Sequence, residues 1–154
     1  MLVNDAYYMK NALEQAKLAA EKGEIPVGAL VVDSESGEIL AAAHNLRESN
    51  KSAIAHAEVL AIEEACKKRG SWRLHGCTLY VTLEPCPMCA GALVMSRIDR
   101  LVYGAADYKA GAVESLFNIT NHSGLNHRIE VRAGVREEEC RILMKDFFRE
   151  RRKK

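Results

Sequence analysis

The chain has 154 residues, of which 22 are lysine or arginine and 21 are aspartate or glutamate, so that the formal net charge is +1. This length favours one domain with a sizeable core, and the balanced charge excludes the strongly basic composition that would by itself indicate a nucleic-acid binder. The first five residues lack a basic segment followed by an apolar run, and no later stretch is long and uncharged enough to span a bilayer. We therefore expect a soluble, cytoplasmic protein.

Hydrophobic periodicity and turn residues predict the secondary structure. In chain order, the predicted elements are a helix over 4–22, strands over 27–32 and 39–43 joined as a hairpin, a helix over 56–69, a strand over 78–83, a helix over 86–97, a strand over 100–105, a short strand over 129–132 and a helix over 137–151. Residues 107–127 are predicted to be mostly loop. The alternation of helix and strand in the middle of the chain favours a layered α/β domain.

Two short stretches carry the residues with the clearest chemistry. His56 precedes Glu58 by two positions, and Cys86 and Cys89 stand three apart, where they face the same side of a helix that opens after Pro85. One imidazole and two thiolates suit zinc and leave its usual tetrahedron one ligand short, which is typical of a catalytic site with a place for water. The five cysteines lack the dense spacing of a disulfide scaffold, in agreement with a reducing compartment and a metal role for two of them.

Glu58 is poorly placed to bind the ion that His56 holds, because residues two apart point to different sides of a helix. It is better placed to take a proton from a zinc-bound water and return it to a substrate nitrogen. The pattern thus indicates a hydrolytic deaminase in outline. A structural zinc site that recruits His75 or Cys77 as a fourth ligand is the alternative, but it leaves Glu58 unexplained.

The pairing of His-x-Glu with Pro-Cys-x-x-Cys is the signature of zinc-dependent base deaminases, and the chain as a whole resembles the bacterial tRNA adenosine deaminases. The segments that carry this narrower resemblance are 24–29, 44–45, 89–92, 104–112, 124–128 and 147–152. One departure stands beside the site: Ala53-Ile54 occupies the place where the family usually shows Pro-Thr. That departure affects the loop near the substrate and leaves the metal ligands untouched.

The resemblance implies a cytidine deaminase-like fold, a three-layer α/β/α arrangement with a mixed central sheet of about five strands. It also implies a single deaminase domain over residues 1–154, a homodimer with one zinc ion per subunit, and a tRNA anticodon stem-loop as the partner. The implied reaction converts adenosine to inosine at the wobble position of the anticodon.

Residue roles follow from the same resemblance. His56, Cys86 and Cys89 are expected to hold zinc, Glu58 to shuttle the proton as water attacks C6 of adenine, and Asn45 to hydrogen-bond the flipped base. The side chains expected along the RNA are Asp107, Lys109, Asn126, His127, Arg149 and Arg152. The basic tail also has a structural explanation, because cationic residues are favourable at a helix C-terminus.

Two other functions share parts of this pattern. A zinc deaminase of a free base or nucleotide, of the guanine or cytosine type, has the same signature, whereas a non-catalytic zinc module would have no use for Glu58. The segments after the last core strand favour the tRNA-type enzymes over the free-base deaminases.

Overall fold

The computed structural model describes residues 4–153. Residues 1–3, on which the expectation about the start of the chain partly rests, and residue 154 of the basic tail lie outside the described residues. The elements in chain order are α1 (Asp5–Glu21), β1 (Gly28–Asp33), β2 (Ile39–His44), α2 (Ala57–Arg69), β3 (Cys77–Leu83), α3 (Pro87–Met95), β4 (Arg100–Ala105), β5 (Glu130–Arg132) and α4 (Glu137–Arg152).

The strands form one mixed five-stranded sheet in the order β2-β1-β3-β4-β5. β1 pairs antiparallel with both β2 and β3, whereas β3, β4 and β5 are mutually parallel neighbours. The crossover from β3 to β4 runs through α3, as parallel strands require. The carboxyl ends of β3 and β4 therefore lie at the same edge of the sheet.

Helices cover both faces of the sheet. Alternate strand residues such as Val31, Leu79 and Leu101 pack with α2 and α3 on one face. Their neighbours Leu30 and Tyr80 pack with α1 and with the first turn of α4 on the other. This alternation follows from the two-residue period of a strand, and it confirms the three-layer α/β/α architecture.

The close approach of α1 to the sheet depends on Gly28. A Cβ at this position would collide with the backbone of α1 at Ala12 and Ala16. Because glycine has no side chain, α1 lies directly on the start of β1. β1 then continues as a central strand between β2 and β3.

Asp5, the first residue of α1, ties several elements together from a buried position. Its carboxylate accepts hydrogen bonds from Arg100 on β4, Arg132 on β5 and the Tyr80 hydroxyl on β3, with donor–acceptor distances of 2.6–2.7 Å. Its side chain is only 2% exposed. Such charge-assisted bonds are stronger than neutral ones, so this cluster links α1 to three strands.

The predicted elements are confirmed with small shifts at their ends. The largest shift concerns α3, which ends at Met95 rather than at residue 97, because Arg97 has a left-handed backbone with φ of 63°. A left-handed residue cannot continue a right-handed helix. The helix also starts one residue later than predicted, at Pro87, so that Cys86 is the N-cap.

No helix among residues 4–153 combines the length and the apolar character needed to cross a bilayer.

Candidate active site

Two helix N-termini meet at the carboxyl end of the sheet and carry the candidate ligands. His56 is the N-cap of α2 and Cys86 is the N-cap of α3, each with an extended backbone. Pro87 occupies the first position of α3, where its missing N–H and fixed φ are tolerated. Cys89 follows in the first turn of the same helix. The positive ends of both helix dipoles therefore point at the site, which favours thiolates.

The three candidate ligands converge within the distances that one ion requires. The Sγ atoms of Cys86 and Cys89 each lie 3.6 Å from Nδ1 of His56, and the three ligand atoms lie within 4.8 Å of one another. A tetrahedral zinc ion with Zn–S bonds of about 2.3 Å and Zn–N bonds of about 2.0 Å separates its sulfur and nitrogen ligands by about 3.5 Å. The observed spacing fits a metal ion of this kind.

The cluster remains a three-ligand site among residues 4–153. Neither His75 nor Cys77 belongs to it; His75 is exposed, and Cys77 is buried in the core at the start of β3. The fourth-ligand alternative therefore has no support from the geometry. Three protein ligands with an open position are typical of catalytic zinc sites.

The pKa values of the two thiols are shifted in opposite directions. The hydrogen bond from the Cys89 thiol, together with the nearby His56 ring, lowers the pKa of Cys86 to about 4. The same hydrogen bond and burial raise the pKa of Cys89 well above its ordinary range. A divalent cation between the sulfurs would favour both thiolates, because ligands lose their protons on metal binding.

Glu58 is buried in the first turn of α2, beside this cluster. Burial raises the pKa of Glu58 to about 7, and the charge of the Cys86 thiolate acts in the same direction. A carboxyl group whose pKa lies near neutrality both accepts and returns a proton readily. Glu58 lies outside the three-ligand cluster, and its role as a general acid and base stays a prediction.

A cavity of about 580 Å³ opens above His56, Glu58 and Cys86. Its lining consists of Ile25, Val27, Asn45, Arg47, His56, Ala57, Glu58, Leu83, Glu84, Cys86, residues 105–110, Arg141, Met144 and Phe148. The volume lies within the range of about 300–1,000 Å³ that is typical of small-molecule sites. The mainly apolar walls with a few polar groups suit a heterocyclic base.

A buried carboxylate fixes one wall of this cavity. Glu84, which is 1% exposed, accepts hydrogen bonds from the backbone N–H groups of residues 107 and 113–115 and from the Ser115 hydroxyl. Burial alone would raise the pKa of Glu84, but these hydrogen bonds, led by that from the Glu114 N–H, lower it. Gly111 lies against the carboxylate with no room for a Cβ. Glu84 thus makes most of the hydrogen bonds that hold the loop 107–115 to the end of β3, and a backbone bond from the Ala112 N–H to the Pro85 carbonyl oxygen adds to them.

A second buried carboxylate, that of Glu24, holds the loop that carries Asn45 and Arg47. Glu24 accepts hydrogen bonds from the N–H groups of Glu48 and Ser49 and from the Ser49 hydroxyl. In the same loop, the Asn45 side chain donates to the Ile25 carbonyl oxygen and accepts from the Arg47 N–H. One N–H and one lone pair of Asn45 remain for a ligand.

The residue that departs from the family pattern lies next to this loop. Ile54 is 56% exposed, and its carbonyl oxygen accepts a hydrogen bond from the His56 N–H at 2.8 Å. The described cavity lining does not include it.

Of the residues predicted to meet RNA, four lie at or near the cavity in this chain. Asn45, Asp107 and Lys109 line it. Lys109 lines an adjoining cavity of about 530 Å³ as well. The fourth residue, Arg152, lines only this second cavity, together with Phe148 and Arg151.

Three other predicted residues do not join this group. Arg149 pairs with Asp146 on the surface of α4 at 2.8 Å. The Nε2 atom of His127 lies 2.6 Å from the Ile98 carbonyl oxygen, before the start of β4, while the cavity lies at the far end of that strand, and Asn126 is an exposed neighbour of His127. Their contact with a substrate stays a prediction.

The sequence analysis missed several residues of the cavity. Glu84 had a usable signal, because a carboxylate at the end of an otherwise apolar strand needs a partner when buried. Arg47, Tyr108, Arg141, Met144 and Phe148 gave no such signal, since only the tertiary fold brings the loops and α4 to the metal ligands.

Comparison with known proteins places this geometry in a family context. Residues 3–152 match the family model of the MafB19-like deaminases. The chain is 56% identical over 153 residues to the tRNA-specific adenosine deaminase of Bacillus subtilis (strain 168), an alignment that covers 99% of this chain and 94% of that protein.

Solved structures give two further similarities. One, from a study of A-to-I editing by tRNA:A34 deaminases at the wobble position of transfer RNA, superposes with a TM-score of 0.85 at 41% identity and covers 89% of this chain and 98% of its own. The guanine deaminase from Nitrosomonas europaea superposes with a TM-score of 0.82 at 25% identity, covering 96% of this chain and 86% of its own.

Proposed function

The chain belongs to the tRNA-specific adenosine deaminases within the MafB19-like deaminase family, and on this basis we propose that it converts adenosine to inosine by hydrolysis at the wobble position of a tRNA anticodon. The observation that carries the proposal is a His-Cys-Cys cluster beside a buried glutamate at the floor of a base-sized cavity. Residues 1–154 act as one catalytic domain, and the anticodon stem-loop is the substrate.

The donor set supports zinc as the metal. His56, Cys86 and Cys89 would hold one zinc ion per subunit, since one imidazole and two thiolates at this spacing are a tetrahedral zinc set with one open position. Zinc, when bound, supplies a Lewis acid that makes water nucleophilic near neutral pH.

Glu58 handles the protons of the reaction. Its carboxylate takes a proton from the attacking water and delivers it to a ring nitrogen of adenine while the oxygen bonds to C6. It then takes the remaining hydroxyl proton of this adduct and gives it to the amino group, so that the C6–N bond breaks, ammonia leaves and the C6 carbonyl of inosine forms. A pKa near 7 suits both transfers. The apolar side chains of Ile25, Val27 and Leu83 limit the access of bulk water.

The substrate is oriented by the two loops that the buried carboxylates hold. The free N–H and lone pair of Asn45 face the base. Asp107 and Lys109 contact the nucleotide at the cavity mouth, and Arg149 and Arg152 on α4 extend the basic surface toward the RNA backbone, where they add salt-dependent affinity. Asn126 and His127 contact the RNA at a place outside the cavity.

A homodimer is part of the proposal. Large apolar side chains are exposed on α3 and on the loop after β4, where Met95 is 70%, Leu116 52% and Phe117 54% exposed. We propose that these side chains lie in the dimer interface, because contiguous apolar patches mark interaction sites. Sedimentation of the wild type is expected to give a dimer, and Phe117→Asp a monomer, whereas Leu18→Asp on α1 serves as the control that leaves the dimer intact. A monomeric wild type would contradict this part.

Deamination of a free base is the second candidate, favoured by the similarity to the guanine deaminase from Nitrosomonas europaea. Free-base deamination is the less favoured function, because the identity to a tRNA-specific adenosine deaminase is 56% and that to the guanine deaminase is 25%. A non-catalytic zinc module is disfavoured by the buried Glu58 beside the open ligand position.

A substrate panel separates these functions. The zinc-loaded protein is offered an anticodon stem-loop with adenosine at the wobble position and, separately, free adenine, adenosine, guanine, cytosine and cytidine. We expect inosine in the stem-loop and no ammonia from the free compounds. If ammonia were released from guanine and no inosine formed in the stem-loop, the protein would be a free-base deaminase, the second candidate.

A further inference from the structure

Tyr108 stands at the rim of the cavity as an exposed aromatic side chain. It lines the cavity, yet it is 79% exposed, more than any other large apolar or aromatic side chain of residues 4–153. No hydrogen bond to its side chain occurs within that described part. An aromatic ring that contributes neither to the core nor to a hydrogen-bond network has no evident structural role at this place.

The backbone on both sides of Tyr108 is fixed. The Asp107 N–H donates to the buried Glu84 carboxylate at 3.1 Å, and the Asp107 side chain accepts from the N–H groups of Lys109 and Ala110 at 3.0 and 3.1 Å. The exposure of the ring is therefore not the result of a loose loop. A ring presented by a rigid turn is preorganised for a ligand.

Basic side chains line the cavity at this ring and the cavity beside it, along with the acidic Asp107 and Glu84. Lys109 follows the ring directly, Arg47 and Arg141 line the same cavity, and Arg151 lines the adjoining cavity beside Phe148. Aromatic rings among basic side chains are the combination by which proteins bind single-stranded nucleic acids, with bases stacked on the rings and phosphates near the cations.

We propose that Tyr108 is a stacking platform for the base next to the target adenosine in the RNA chain. The inference rests on the proposed function: with the adenosine in the cavity, the RNA backbone crosses the rim, and a neighbouring base reaches the exposed ring. Unlike the zinc cluster and Glu58, which act on any base that enters the cavity, this platform recognises only a base that is joined to others. It thus favours a polynucleotide over a free nucleoside.

The test pairs a substitution with altered RNAs. Tyr108→Ala and the wild type are compared on three anticodon stem-loops: the intact one, one abasic at the nucleotide 5′ to the target, and one abasic at the nucleotide 3′ to it. We expect Tyr108→Ala to lower kcat/KM on the intact stem-loop by about 5- to 100-fold, chiefly through KM, as loss of one base–aromatic stack does. On one of the two abasic stem-loops the wild type and the variant should become equal.

Controls separate stacking from structural damage. Tyr108→Phe keeps the ring and should retain most of the wild-type kcat/KM, and Tyr7→Ala removes an exposed tyrosine from α1 and should change nothing. An equal loss on all three stem-loops, no loss on the intact one, or a changed oligomeric state in Tyr108→Ala would overturn the inference alone. Absence of inosine in the intact stem-loop with the wild type would instead overturn the proposed function, and the inference with it.

Discussion

At the scale of single residues, binding of the metal and transfer of the proton are assigned to different side chains. His56, Cys86 and Cys89 form the candidate ion site, whereas Glu58 lies beside it with a pKa raised by burial. The two roles respond differently to substitution, because loss of a ligand removes the ion while loss of the carboxylate leaves it bound.

Glu58→Ala is expected to keep the metal and to lose turnover. General acid–base catalysis contributes typically about 10²–10⁴-fold to a rate, and we expect kcat to fall by at least that factor. Metal analysis of the purified variant should give the same zinc content as the wild type, and an inosine assay on a stem-loop measures the rate. Normal turnover in this variant would refute the proton-shuttle role.

Cys86→Ser is expected to lose zinc. Its thiol is the more acidic of the pair, and a serine hydroxyl is a much poorer ligand for zinc than a thiolate. Cys66→Ser, which removes a thiol outside the cluster, is the matched control and should keep the ion. Stoichiometric zinc in purified Cys86→Ser would argue against this ligand.

The sequence predicted these four residues because their signal is local. Each pair lies within one turn of chain, and the residue types themselves specify the chemistry. Glu84 offered only a partial signal, its place at the end of an apolar strand, because its partners, the loop amides at 113–115, are distant in sequence. Tyr108 offered none, because only the tertiary fold brings it to the cavity.

At the scale of elements, we expect the loop 107–115 to contribute to substrate binding. It carries four cavity-lining residues and is held to the end of β3 by Glu84. The sequence predicted this segment only as loop, since it has no periodic pattern. The helices and strands around it were predictable from periodicity, apart from the end of α3, where the backbone of Arg97 turns left-handed.

Glu84→Gln is expected to release this loop. The substitution replaces one acceptor oxygen by an NH₂ group that faces backbone N–H donors, so buried donors lose their partner at a cost of about 1–3 kcal/mol. Hydrogen exchange of the amides of residues 107 and 113–115 should accelerate by about tenfold or more, and KM for the stem-loop should rise.

The matched control for this prediction lies in the same loop. Glu114 is exposed, and its Oε1 atom accepts a hydrogen bond from the Tyr103 hydroxyl. Glu114→Gln keeps an acceptor oxygen and the backbone N–H. The amide hydrogens of residues 107 and 113–115 should therefore exchange at the wild-type rate in this variant. Equal exchange in Glu84→Gln and Glu114→Gln would contradict the role of Glu84.

At the scale of the whole molecule, the Asp5 cluster links α1 to β3, β4 and β5. Burial alone would raise the pKa of Asp5, but the hydrogen bonds from Arg100, Tyr80 and Arg132 outweigh it and lower the pKa well below the ordinary range. The stability that this carboxylate contributes is therefore present above the unfolded-state pKa of about 3.9 and is lost as pH falls toward the folded-state pKa.

Asp5→Asn is expected to lower the free energy of unfolding at pH 7 by about 2–3 kcal/mol, the scale of hydrogen bonds to charged groups. The difference from the wild type should shrink as pH falls below about 4. Urea titrations at several pH values measure both effects. A constant difference across this range would contradict the electrostatic origin.

Glu130→Gln provides the control, because Glu130 contacts the same arginine from an exposed position. Its Oε2 atom lies 2.9 Å from Nε of Arg100, but the side chain is 75% exposed. Exposed ion pairs contribute about 0–1 kcal/mol. If Glu130→Gln lowered the free energy of unfolding as much as Asp5→Asn does, burial would not determine how much each carboxylate contributes to stability.

The most direct measurement for the whole account is sequencing of RNA after exposure to the protein. A mixture of unmodified tRNA transcripts is incubated with the zinc-loaded wild type and with Glu58→Ala, and inosine is read as guanosine after reverse transcription. The account predicts adenosine-to-guanosine changes with the wild type only, confined to the wobble position of a tRNA that carries adenosine there. Changes at adenosines throughout the transcripts, or no change at any adenosine, would contradict it.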